Sequence, residues 1–107
     1  MPIARPKGES AIPEWSEIIH YGINTLEPGD VVEPHYHDAN EYWFIISGRG
    51  TCVTEGDTYE IGPGDMVLTK MGDEHSLVVH ERMVAVYAYG PLKPGGVFGH
   101  LFRLPFS

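Results

Sequence analysis

The chain has 107 residues, room for one ordinary domain and little more. Apolar residues make up 42% and charged residues 21%, a balance that excludes intrinsic disorder. Net charge is −8, from seven basic against fifteen acidic residues with no Lys/Arg cluster, which excludes nucleic acid and an anionic membrane surface as partners.

Residues 1–15 carry Pro2, Pro6 and Pro13 and few apolar pairs, so they are expected to form an extended arm ahead of a single domain over 16–107. They contain no apolar leader stretch, and no run in the chain approaches a membrane span. Short runs rich in β-branched and aromatic residues follow at 17–26, 31–37, 41–47, 51–54, 58–61, 66–69, 76–79 and 83–89, each of strand length. Pro28-Gly29 and Pro63-Gly64 fit type II turns, with glycine at the position that needs positive φ. Ser47-Gly48-Arg49-Gly50 and Glu55-Gly56-Asp57 read as hairpin turns. Past the first run no window keeps a helical apolar period, so the fold class is all-β, a sandwich or closed barrel. The tail, 91–107, is looser but holds Val97, Phe98, Leu101, Phe102, Leu104 and Phe106, which are expected to pack on the barrel or on a partner. The single cysteine, Cys52, forms no internal disulfide and reads as a small buried hydrophobe, which points to a reducing, cytoplasmic setting.

The informative stretch is GDVVEPHYHDANEYWFIISG, 29–48. His35 and His37 are two apart, which places both imidazoles on one face of an extended strand. Glu41 has the same parity and joins them if Asp38-Ala39-Asn40 is a short bend. His75 follows a turn-rich segment and opens an apolar strand, from which it can reach the same barrel interior. Two imidazoles and a carboxylate converging on one point suit a divalent transition metal. Spacing alone leaves the plainer reading open, namely two ordinary strand histidines in a chain that holds six.

Gly29, His35, His37, Glu41 and Gly48 match every fixed position of the first cupin motif, G-x5-H-x-H-x3-E-x6-G. The second cupin motif, G-x5-P-x-G-x2-H-x3-N, is met at Gly64, Gly72 and His75, and departs from the pattern at Lys70 and Val79. Neither departure falls on a ligand position. The chain thus resembles the cupin superfamily over a motif-bearing core of about 23–90. The resemblance implies a double-stranded β-helix, or jelly-roll barrel, with one divalent metal held inside by His35, His37, Glu41 and His75.

Three nitrogens and one oxygen leave coordination positions open, as at catalytic and ligand-binding sites. Mn, Fe, Co, Ni, Cu and Zn all suit this thiolate-free set. Trp43 and Ile45 share parity with Glu41 and are expected inside the barrel, whereas Tyr42, Phe44 and Ile46 face outward. Trp43, Tyr87 and Tyr89 are the candidates for substrate contact, with packing as the competing role. His20, His80 and His100 stand alone and are expected at the surface, as is Arg49; Asp73 and Glu74 read as a solvated turn beside His75. Small cupins with this ligand set include sugar isomerases and epimerases, dioxygenases, decarboxylases and lyases, so the resemblance implies a metal-dependent enzyme acting on a small polar or sugar-derived molecule. A non-catalytic sensor or binding module and a purely structural metal site are the rivals, and no general base stands out beyond the ligands. The outward aromatic face, the arm and the apolar tail together predict a homodimer.

Overall fold

Two long strands form the axis of the fold. The computed structural model describes residues 3–6, 12–97 and 99–102. Its six strands are β1 (His20–Leu26), β2 (Val31–His35), β3 (Glu41–Thr54), β4 (Asp57–Ile61), β5 (Met66–Thr69) and β6 (His75–Tyr89). No helix occurs among the described residues. β3 and β6 pair antiparallel along their whole lengths, from Glu41↔Tyr89 to Thr54↔His75. β1 adds to the second half of β6 and β2 to its first half. β5 adds to the first half of β3 and β4 to its second half. Two four-stranded halves result, β1-β6-β3-β5 and β2-β6-β3-β4, sharing the two long strands. This is the all-β jelly-roll arrangement that the cupin resemblance implies.

Period-two patterning decides what lies between the halves. Ile45 is 2% exposed and its neighbour Ile46 is 58% exposed, so a one-residue slip in β3 would exchange core for surface. Ile45, Cys52, Ile61, Leu77, Val79, Met83 and Ala85 form the core, with Leu26, Val32, Trp43 and Val67 packed against it. Burial also pushes the Cys52 thiol pKa up, so it stays an unreactive hydrophobe.

The expected hairpin at Ser47–Gly50 does not exist. β3 runs through it, with its ladder to β6 slipping between Ile45 and Ser47, Ser47 and Arg49, and Arg49 and Gly50. Gly48 takes φ 88°, and a Cβ there would collide with the Arg82 carbonyl oxygen; one at Gly50 would lie 2.7 Å from the Val78 carbonyl oxygen. A bulged corner and a hairpin turn demand the same residues, which is why the pattern misleads. The runs 76–79 and 83–89 likewise belong to one strand, β6, bent opposite that corner. The other turns behave as expected: Gly29 and Gly64 have φ 89° and 88°, and Glu55-Gly56, at φ 46° and 86°, form a two-residue hairpin loop.

Of the expected arm, residues 1, 2 and 7–11 lie outside the described residues, and so do Phe98, Leu104 and Phe106 of the tail. Val97 and Phe102 are exposed and so do not pack on the barrel, while Leu92 and Leu101 are partly covered, Leu101 in a bridge to Tyr36. On the outer face of the first half, the row Ile23–Val86–Phe44–Met66 runs across four strands. Ile23, Phe44, Met66, Leu68 and Ile46 are all exposed there.

The corner makes a prediction about stability. Gly56 has φ 86° but open space around it, so Gly56→Ala should cost about 1 kcal/mol for left-handed backbone alone. Gly48→Ala adds a collision with backbone and should cost at least about twice as much, read from urea midpoints. Equal losses at the two positions would contradict the corner.

Candidate metal centre

Register, bend and strand end bring the four predicted ligands together. His35 closes β2, and the β2–β6 pairing sets it directly opposite His75, the first residue of β6. His37 lies just beyond, and the chain then bends at Asp38 and Ala39 before Glu41 opens β3. That bend is held by backbone: Gly72 N–H donates to the His37 carbonyl at 3.0 Å and Gly90 N–H to that of Asn40 at 2.9 Å. Asn40 Oδ1 accepts from Met71 N–H at 2.8 Å, joining the bend to the turn that leads into His75. His35, His37, Glu41 and His75 are 2%, 3%, 3% and 9% exposed.

The donor atoms converge. His37 Nε2 lies 3.5 Å from Glu41 Oε1 and His75 Nε2 lies 3.3 Å from the same oxygen. His35 Nε2 and His37 Nε2 are 3.1 Å apart. His35 Nδ1 sits 2.7 Å from the Glu33 carbonyl and His37 Nδ1 sits 2.9 Å from that of Gly99. A carbonyl only accepts, so both protons are on Nδ1 and both Nε2 atoms carry lone pairs. Two lone pairs then face each other at hydrogen-bond distance with no hydrogen between them, which is repulsive unless a cation lies among them. Protonating a ring would also relieve the repulsion, but burial opposes it and holds His35 down to about 4, with the neighbouring imidazoles acting in the same direction. His37 is also held below its ordinary value, chiefly by burial. This donor set fits a divalent transition metal, with backbone carbonyls orienting two of its histidines as metal-bound histidines usually are.

Glu41 supplies the negative charge. Burial on its own would raise its pKa, but hydrogen bonds from His75 and Tyr89 and the nearby imidazoles together bring it below the ordinary value. Burial and the Glu41 charge push the Tyr89 phenol up, so Tyr89 stays protonated and donates to the carboxylate.

A cavity of about 490 Å³ opens beside these groups, lined by Trp43, Tyr87 and Tyr89 among others, so all three candidates for substrate contact border it. The indole Nε1–H of Trp43 and His75 Nδ1 are buried without a hydrogen-bond partner among the described residues. The Tyr87 ring lies across Gly22 of β1, where a Cβ would collide with its hydroxyl. Arg49 is exposed beside Glu81, and the Glu74 backbone is tied to Glu55.

None of the three histidines expected to stand alone does so. His20 stacks on Tyr89 with centroids 5.8 Å apart, and both line the cavity. His100 stacks on His35 at 3.9 Å and lines it too. His80 meets Thr51 Oγ1 at 2.6 Å on the surface. His100 and the Gly99 carbonyl escaped notice because they lie in a segment with no strand period, and their partners are more than sixty residues away.

The model of the Cupin domain family matches residues 22–89. The chain belongs to the cupin family. An uncharacterized protein, y4oW, from Sinorhizobium fredii is 39% identical over 72 residues, covering 66% of this chain and 33% of its own length. The L-ectoine synthase of Vibrio campbellii is 33% identical over 69 residues, covering 64% and 54%. The chain therefore spans from a third to about half of these relatives. The crystal structure of a predicted oxalate decarboxylase from Thermotoga maritima superposes with a TM-score of 0.64 at 24% identity, over 71% of this chain and 69% of that one.

In this cupin, neutral buried imidazoles make stability depend on pH. Imidazoles in the unfolded chain titrate near 6.5, whereas His35 titrates at about 4 and His37 below its ordinary value. The unfolded state therefore binds more protons as pH falls from 6.5, and stability is lost through that window. Glu41 adds to the loss as pH falls below its ordinary 4.5, because the folded carboxylate is held lower. The melting temperature of metal-free protein should fall steadily from neutral pH towards pH 4, and less steeply in His35→Gln. A flat profile would contradict the burial argument.

Proposed function

We propose that His35, His37, Glu41 and His75 hold one divalent transition metal, and that the chain is a metal-dependent enzyme acting on a small polar or sugar-derived molecule. The observation that carries this reading is the pair of facing lone pairs, 3.1 Å apart, beside a buried carboxylate at the wall of a cavity. A bound ion from the series Mn, Fe, Co, Ni, Cu and Zn would supply Lewis-acid polarisation of a substrate oxygen. Tyr89 holds Glu41 in place, while Tyr87 and the Trp43 N–H, which has no partner among the described residues, border the space a substrate would occupy. The relatives support an enzyme, since they include an L-ectoine synthase and a 5-nitrosalicylic acid 1,2-dioxygenase, and the reading spans the isomerase or epimerase, dioxygenase, decarboxylase and lyase types that the family resemblance implies. A single buried thiol, Cys52, suits a cytoplasmic setting; among the described residues no helix is long and apolar enough to cross a membrane. The exposed row around Phe44 and Leu68 supports a homodimer formed through the outer sheet face.

Protein purified without added metal should contain about one equivalent of a first-row metal by elemental analysis, and His75→Ala less than about a tenth of one. Screening small sugars, oxo-acids and diketones should give turnover that chelation abolishes and that Trp43→Phe weakens about tenfold, as expected for loss of one hydrogen bond to substrate. Binding without any turnover would favour the non-catalytic ligand-binding alternative.

Light scattering at micromolar concentration should give twice the chain mass, and Phe44→Glu should halve it. A monomeric wild type would refute the dimer.

A further inference from the structure

We propose that His100 supplies a fifth protein ligand, so that the segment 99–101, outside the six strands, completes the metal centre. The inference rests on the metal reading above and extends it to a residue outside both sequence motifs.

Ring nitrogens of His35, His37 and His100 lie within 4.8 Å of one another, as do the donor atoms of His37, Glu41 and His75. His37 belongs to both trios, so the two groups lie side by side, although the five donors do not all fall within that distance of one another. Donors about 2.1 Å from a common ion are roughly 3.0 Å apart when adjacent and 4.2 Å when opposite, so the two trios must close on a shared ion for His100 to enter its coordination sphere. The His100 ring lies 3.9 Å from that of His35 at 20° and 5.4 Å from that of His37 at 72°.

The segment is fixed on both sides of this histidine. Tyr36 N–H donates to the Leu101 carbonyl at 2.8 Å and Leu101 N–H to that of Tyr36 at 3.0 Å. On the other side Gly99, at φ 111°, turns its carbonyl to accept from His37 Nδ1 at 2.9 Å. Further back, Lys93 Nζ lies 3.1 Å from Asp38 Oδ1, and Val97 N–H donates to Oδ2 of the same carboxylate at 3.2 Å. The tail is thus pinned to the bend between the ligands, and His100 faces their donor atoms from the solvent side of the cavity. Five protein donors leave one position on a six-coordinate ion rather than two, which narrows the reaction to substrates bound through a single atom.

Stacking and ligation are separable, because phenylalanine keeps a ring against His35 but offers no nitrogen. Full-length protein stripped of metal is titrated with Co(II), following visible absorption and chelator competition, for wild type, His100→Ala, His100→Phe and the surface control His80→Ala. Both His100 variants should bind cobalt at least about tenfold more weakly, with an altered visible spectrum, while keeping the metal-free melting temperature of wild type. His80→Ala should match wild type. If His100→Phe retains wild-type affinity and spectrum, the ring only packs and the fifth ligand is overturned. A wild type that takes up no cobalt overturns the metal reading itself.

Discussion

The centre turns on two imidazole nitrogens that face each other unprotonated, 3.1 Å apart, in a buried site. Their tautomers are set by the carbonyls of Glu33 and Gly99, which can only accept. Burial then blocks the simplest relief, protonation, by holding His35 down to about 4. With hydrogen absent from the gap, a cation is the natural counterpart to this donor arrangement. Glu41, kept ionised by His75 and Tyr89 despite its burial, contributes the negative charge such an ion needs.

The fold meets this constraint through register more than through local propensity. His35 and His75 are forty residues apart, yet the β2–β6 ladder makes them cross-strand partners. Glu41 opens the same strand that carries Trp43 and Ile45 inward, so the site and the hydrophobic core are successive layers of one barrel interior. Both long strands must bend for this to happen, and Gly48 and Gly50 allow the backbones of β3 and β6 to approach at the corner. A side chain there would push apart the two strands whose opposite ends carry Glu41 and His75.

Much of this was legible in the sequence, for identifiable physical reasons. Alternation placed His35 and His37 on one face and separated Ile45 from Ile46, because the period of a strand is fixed. Glu41 required only a bend at residues 38–40, and the cupin motif brought in His75 from a distant strand. Two other features were hidden. The glycines at 48 and 50 have the composition of a turn, and only pairing along the whole of β6 shows them to be a corner inside one strand. His100 and Gly99 reach the site through contacts remote in sequence, from a segment whose spacing carries no period, so nothing local marks them.

The central claim, that three Nε2 atoms and a carboxylate form one cation site, is tested most directly by nitrogen NMR of the imidazoles. Metal-free protein labelled at histidine is titrated with zinc. Nε2 of His35, His37 and His75 should shift together and saturate at about one equivalent, while Nδ1 of His35 and His37 stays protonated and hydrogen-bonded to backbone. Unmoved Nε2 signals, or shifts confined to Nδ1 or to the surface His80, would contradict the account.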